Sequence, residues 1–224
     1  MSSISLELNR IHNADCLSIL PTLPSKSVSC IITDPPYGVD LDYGLTYQDT
    51  FENWQKTISG FIPEALRVSR GPVLLSTSKL EAEQFLFKNY PPVWRLCWYK
   101  GATTTRSPIG FKDWESVFVY GDMQGKQTHD YFKVVPTNAR KEIPGHPCPK
   151  PIGWAKWLIS HFTRENDIVL DPFAGSGTTC LAALQLNRNF IGIEINPDYC
   201  RVANKRIANH PLKLQSFLME CCIK

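Results

Sequence analysis

The sequence predicts an α/β fold, a mostly parallel sheet with helices on both faces. Three observations lead there. Short apolar, β-rich runs alternate with longer runs of helical period along the chain. Two of the apolar runs end at an acid and pass directly into turn-rich motifs, as strands do at the ligand-binding carboxyl edge of an open parallel sheet. The 224 residues, 43% of them hydrophobic, can bury one substantial core but fall short of two ordinary enzyme domains. The expectation is one domain over 1–224 with a short insertion.

The first strand, 28–33, is rich in Val, Cys and Ile and runs into Asp34. A helical pattern covers 51–67. Strand 72–77 and helix 80–88 follow, and the apolar and aromatic runs 93–98 and 116–120 read as further strands. Between 121 and 151 the periodicity disappears among Pro, Gly, His and isolated aromatics, which predicts an inserted recognition segment. Regular alternation then resumes with helix 152–162, strand 167–171, helix 178–186, strand 189–194 and helix 197–207. Asn196 is placed to cap the last helix, with Pro197 at its first position, where the missing N–H costs nothing.

Composition narrows the setting. Eight cysteines form no C-x-x-C pair, no apolar run reaches membrane-spanning length, and the opening residues carry no export signature. A reducing, cytoplasmic location without membrane contact is expected. The net charge of +3 is a weak pointer to nucleic acid, but its distribution is uneven. Lys126, Lys133, Arg140, Lys141, Lys150 and Lys156 crowd 124–156, a stretch suited to phosphate contact, whereas 34–55 carries acids and no Lys or Arg.

Asp34-Pro35-Pro36-Tyr37 suits one chemical problem, activation of an exocyclic amino group on a nucleobase. Such a nitrogen is a poor nucleophile because its lone pair is delocalised into the ring. The Asp34 carboxylate and the Pro35 carbonyl can accept the amino hydrogens and stabilise positive charge as it develops on nitrogen. Two prolines fix φ and present no donors. Tyr37 offers a stacking face for a base flipped out of its duplex. Taken alone, the tetrapeptide also reads as a turn with Asp34 capping and Tyr37 packed.

The second motif, Asp171-Pro172-Phe173-Ala174-Gly175-Ser176-Gly177-Thr178-Thr179, ends a strand, turns through glycines and enters a helix. The next strand ends at Glu194, about twenty residues on, where a carboxylate can bind ribose hydroxyls. Neither G-x-G-x-x-G nor G-K-[ST] is present, so the loop suits a nucleoside carrying an amino acid better than a phosphate.

Together these motifs resemble the DNA methyltransferases that modify adenine N6 or cytosine N4. Their order, with Asp34–Tyr37 first, is similar to the permuted β group. Asn13-Ala14-Asp15-Cys16-Leu17 and His146-Pro147-Cys148-Pro149-Lys150-Pro151 are similar to two further family elements, so the resemblance spans about 10–207. It implies a Rossmann-like, seven-stranded sheet with one antiparallel edge strand and permuted strand order, and S-adenosylmethionine as cofactor. It also implies adenine N6 of DNA as the target, because Asp34 replaces the Ser that more often accompanies cytosine. Asp34, Pro35, Pro36 and Tyr37 would be catalytic. Asp15, Cys16, Lys150, Asp171, Phe173, Ala174, Gly175, Ser176, Gly177, Thr178, Thr179 and Glu194 would surround the cofactor. Cytosine N4 transfer and an inert DNA-binding protein of the same fold are the alternatives. Phe111 and Trp114 could contact the flipped base but are expected in the core, Glu115 either orients the site or is solvated or capping, and His146 has no partner at metal-ligand spacing. The recognition insertion is short for the family, which points to a short target or to a homodimer or partner subunit.

Overall fold

The computed structural model describes residues 6–41, 47–101, 106–123, 129–136 and 148–211. Its strands are β1 (Arg10–Asn13), β2 (Cys30–Thr33), β3 (Val73–Thr77), β4 (Trp94–Tyr99), β5 (Arg106–Ser107), β6 (Gly110–Phe111), β7 (Trp114–Tyr120), β8 (Tyr131–Lys133), β9 (Ile168–Asp171) and β10 (Asn189–Glu194). Its helices are α1 (Cys16–Ile19), α2 (Phe51–Val68), α3 (Leu80–Asn89), α4 (Ile152–Phe162), α5 (Thr178–Gln185) and α6 (Pro197–Ala208). Eight strands form one sheet in the order β1-β10-β9-β2-β3-β7-β4-β8, and β5 and β6 form a separate small hairpin.

The class is as expected, and two details differ. Among the described residues the sheet has eight strands rather than seven. The antiparallel strand, β7, lies inside it, paired with β3 on one side and β4 on the other. β8 supplies the outer edge and arises within the expected insertion, parallel to β4. Three residues with only Phe132 buried are too short to show a period.

Strand residues alternate between two cores, as the two-residue period of a strand requires. Cys30, Ile32, Leu74, Val117, Val119, Val169 and Phe190 pack with Trp154, Ala155 and Leu158 of α4, Ala182 and Ala183 of α5, and Ala203 and Ile207 of α6. Ile31, Val73, Leu75, Phe118, Leu170 and Ile193 face the other way, onto Trp54, Ile58, Phe61, Ile62 and Ala65 of α2 and Ala82 and Leu86 of α3. Asn196 caps α6 by accepting from Asp198 N and Tyr199 N. The cysteines among the described residues are free, and no described helix is long and apolar enough to cross a membrane. Cys221 and Cys222 lie outside the described residues.

Candidate active site

β2 and β9 are parallel neighbours, with Ile31 opposite Leu170, so the chain leaves both strands at one edge of the sheet. Thr33 Oγ1 donates to Asp171 Oδ1 at 2.7 Å, which ties the two strand tips together. The N–H of Phe173 reaches the same oxygen at 3.2 Å. Both motifs line one cavity of ≈ 370 Å³. Burial lifts the Asp171 carboxyl to about 6, against the hydrogen bonds from Thr33, Thr179 and Phe173. The folded chain therefore binds this proton more tightly than the unfolded chain does. Ionised Asp171 opposes folding above about pH 6, and that penalty fades as the pH falls toward the ordinary carboxylate range. Asp171→Asn, which keeps an oxygen for Thr33 and Phe173 but not a second one for Thr179, is expected to stabilise the fold at pH 7 by at most about 3 kcal/mol. Thermal unfolding should show the gain at pH 7 and little of it at pH 4.

On the β2 side the Tyr37 hydroxyl donates to Asp34 Oδ1 and lies 3.1 Å from Ser76 Oγ. Lys150 Nζ donates to Tyr37 Oη and to Glu115 Oε2, each at 2.8 Å, and forms an ion pair with Asp34 Oδ1 at 3.2 Å. Glu115 Oε1 accepts from Lys100 Nζ at 3.0 Å. These side chains are largely out of water, with exposures of 4% for Lys100, 9% for Lys150, 12% for Glu115 and 23% for Asp34. Burial pushes the Asp34 carboxyl up, opposed by Lys150 and by the Tyr37 hydrogen bond. For Glu115, burial is outweighed by Lys150 and Lys100, which hold its carboxyl down at about 2. Burial disfavours the Lys150 ammonium, but Asp34 and Glu115 prevail and hold it well above the usual lysine value. The Tyr37 phenol is pushed well up by burial and then by Asp34, so it stays neutral. Asp34 Oδ2 accepts no hydrogen bond from a described residue.

The exit from the tetrapeptide is also fixed. Gly38 sits at φ +66°, and a Cβ there would stand 2.8 Å from Phe51 Cα. The buried Asp49 carboxylate accepts from the N–H groups of Gly38 at 2.7 Å and of Val39 and Leu41 at 3.2 Å each.

On the β9 side Gly175 N donates to Glu194 Oε2 at 2.7 Å, and Asn196 N donates to Glu194 Oε1 at 2.8 Å. The carboxylate thus spans the glycine turn and the start of α6. Burial raises its pKa, while these backbone bonds oppose the rise. β1 pairs with β10 so that Asn13 stands opposite Glu194, which brings Asp15 onto the same wall. Asp15 also caps α1 by accepting from Leu17 N at 2.9 Å. Trp154, fully buried, is among the residues lining the cavity, and its Nε1 has no hydrogen-bond partner among the described residues.

The cavity wall gathers all four residues expected to be catalytic and every expected cofactor contact except Gly177. Gly177 has a packing role: at φ +76° it caps α5, and a Cβ would lie 3.0 Å from Ala203 Cβ and Ile11 Cδ1. Lys150 is neither solvated nor free for phosphate, since it is 9% exposed and held by Tyr37, Glu115 and Asp34. Glu115 is not solvated: it is 12% exposed and paired with both Lys100 and Lys150. Phe111 and Trp114 are not in the core but 56% and 41% exposed, because β6 lies in the small hairpin and Trp114 begins β7 at its open end. His146, Lys126, Arg140 and Lys141 lie outside the described residues. Lys100 and Trp154 had no signal in the sequence beyond their positions at a strand end and on an apolar helix face.

A sheet of this order, with an acid, a glycine turn and a second acid at its carboxyl edge, is the Rossmann-like fold of the S-adenosylmethionine-dependent DNA methyltransferases. Residues 97–205 match the DNA methylase family model. The protein YubD of Escherichia coli (strain K12) is 30% identical over 221 residues, covering 90% of this chain and 91% of YubD. The crystal structure of the M1.HpyAVI–SAM complex is 27% identical with a TM-score of 0.65, covering 90% of this chain and 99% of that one. The PvuII DNA methyltransferase, cytosine-N4-specific, superposes with a TM-score of 0.71 at 16% identity over 91% of this chain and 88% of that one, a likeness of fold. The chain belongs to the DNA methylase family of amino-methylating enzymes.

Proposed function

We propose that this chain transfers a methyl group from S-adenosylmethionine to the N6 amino group of an adenine flipped out of DNA. The observation that carries this reading is the shared cavity: Asp34–Tyr37 and the Gly175 turn with Glu194 open into one space and are tied by Thr33 and Asp171. The β9 side fits the cofactor. Two acids, Glu194 and Asp15, suit a ribose and an adenine amino group, Phe173 offers an apolar wall, and Trp154 Nε1 is a donor in need of an acceptor. When bound, the cofactor supplies an electrophilic methyl group on sulfur.

The chain's own residues do the rest. Asp34 Oδ2 and the Pro35 carbonyl accept the hydrogens of the target amine, favouring a nitrogen whose lone pair is available, and stabilise its growing positive charge. The burial that raises the Asp34 pKa also makes it a better temporary holder of the proton that nitrogen must lose. Tyr37 stacks on the base, worth roughly 1–3 kcal/mol against the unstacking penalty. Tyr37→Ala is expected to raise KM for DNA by about 10- to 100-fold while leaving cofactor affinity in place. Equal loss of both would make Tyr37 a structural residue.

Lys126, Lys133, Arg140, Lys141 and Lys156 are the proposed phosphate contacts, which position the duplex without reading it. With so short a recognition segment, either the target is only a few base pairs or a second copy or partner subunit contributes contacts. Methyl transfer to DNA from S-adenosylmethionine is consistent with a cytoplasmic enzyme. Asp34 in the first position favours adenine; the fold likeness to a cytosine-N4 enzyme keeps that base as the competing target. Digesting methylated DNA to nucleosides and weighing them decides it. N6-methyladenine is expected. N4-methylcytosine as sole product contradicts the target, and DNA binding with no methyl incorporation contradicts the activity.

A further inference from the structure

Lys100 and Glu115 form a buried ion pair that the proposed chemistry does not use. Lys100 lies outside the cavity wall, and Glu115 gives one oxygen to each of two lysines. We infer that Glu115, anchored by Lys100, is a positioning residue that holds Lys150 against Asp34 Oδ1 and Tyr37 Oη and so leaves Asp34 Oδ2 for the target amine. The inference rests on Asp34 being the group that meets that amine.

Distances carry the argument. A lysine ammonium is a compact charge with three donors on a flexible stem. Facing Asp34 alone, it would close onto the carboxylate and compete with the substrate. Instead Lys150 stands 2.8 Å from Glu115 and 3.2 Å from Asp34. Glu115 draws the ammonium to its own side, and Lys100, 3.0 Å behind, neutralises the carboxylate that would otherwise repel Asp34. Two carboxylates and two ammonium groups balance. A nitrogen gaining positive charge then meets Asp34 rather than a bare lysine. The polar groups facing Asp34 are Tyr37 with Ser76 behind it, Lys150, Glu115, and Asp171 on the neighbouring strand.

The arrangement makes opposite predictions for two substitutions. Lys150 lowers the Asp34 pKa and Glu115 raises it. Glu115→Gln should therefore move the Asp34 titration to lower pH, and Lys150→Met should move it to higher pH. Because Glu115→Gln leaves two buried lysines short of an anion, the charge-balanced double variant Glu115→Gln/Lys100→Met is the second arm, with the same downward direction. Carbon-13 NMR titration of the aspartate carboxyls in the full chain reads this directly, with the Asp34 resonance assigned from Asp34→Asn. At saturating cofactor and DNA, kcat of the Glu115 variants should fall by about 100-fold, the scale expected of a misplaced reacting group, with cofactor Kd unchanged. An Asp34 midpoint that stays put, or moves the same way in the Glu115 and Lys150 variants, overturns the inference, as does a loss of cofactor affinity matching the loss of kcat. If the midpoints move as stated and the wild-type chain methylates no DNA, the positioning role stands and the substrate reading alone fails.

Discussion

Asp34→Ala is expected to abolish methyl transfer, with kcat/KM for DNA falling by at least about 1,000-fold, while cofactor affinity stays near that of the wild type. The substitution removes the carboxylate at the tip of β2, whose Oδ2 is the acceptor left open by Tyr37 and Lys150. The cofactor side, built from β9, β10 and the Gly175 turn, is untouched. Folding should survive as well. Lys150 keeps Glu115 at 2.8 Å, so each buried lysine still touches a carboxylate, although the cluster is then one anion short and some loss of stability is expected. Methyl incorporation and calorimetric cofactor binding separate the two effects. A variant that loses the cofactor yet keeps residual chemistry reverses the assigned roles.

The second large effect is expected at Glu194. Its oxygens hold the N–H groups of Gly175 and Asn196, and in the proposed reading they also accept from the two ribose hydroxyls. Hydrogen bonds to a charged acceptor are worth about 1.5–3 kcal/mol each, so losing two amounts to a cofactor Kd weakened by at least about 100-fold in Glu194→Ala. Glu194→Gln should fall between, since one amide oxygen cannot replace both carboxylate oxygens. At saturating cofactor kcat should largely recover, because Asp34 and Tyr37 are unaltered. A cofactor Kd unchanged in Glu194→Ala removes the acid from the binding site.

The two motifs were legible because each follows a strand whose apolar run points its end at the same edge. Asp34–Tyr37 and Asp171–Thr179 could be paired from sequence without knowing that β2 and β9 are neighbours; Thr33 and Asp171 supply the link. β1 was missed as a strand because Ile11 is its one buried residue, and β8 because it is three residues long. The position of β7 inside the sheet depends on pairing between distant segments, which no local period encodes. Gly177 shows a limit of motif reading. Two glycines in one turn look alike in sequence, but Gly175 faces the cavity and Gly177 faces Ile11 and Ala203. Lys150 read both as one of several loop cations and, by resemblance, as a cofactor contact. Only the fold brings it beside Asp34 and Glu115, from elements far apart in the chain, and turns a surface charge into a buried one.

The central claim is that one cavity holds the methyl donor at β9 and the target amine at β2. A crystal structure with S-adenosylhomocysteine and a target duplex tests it most directly. The expected result has the ribose on Glu194, the sulfur facing the tetrapeptide, and the flipped adenine on Tyr37 with its amino group at Asp34 and Pro35. A nucleoside seated away from the Gly175 turn, or an extruded base that avoids Asp34, contradicts it.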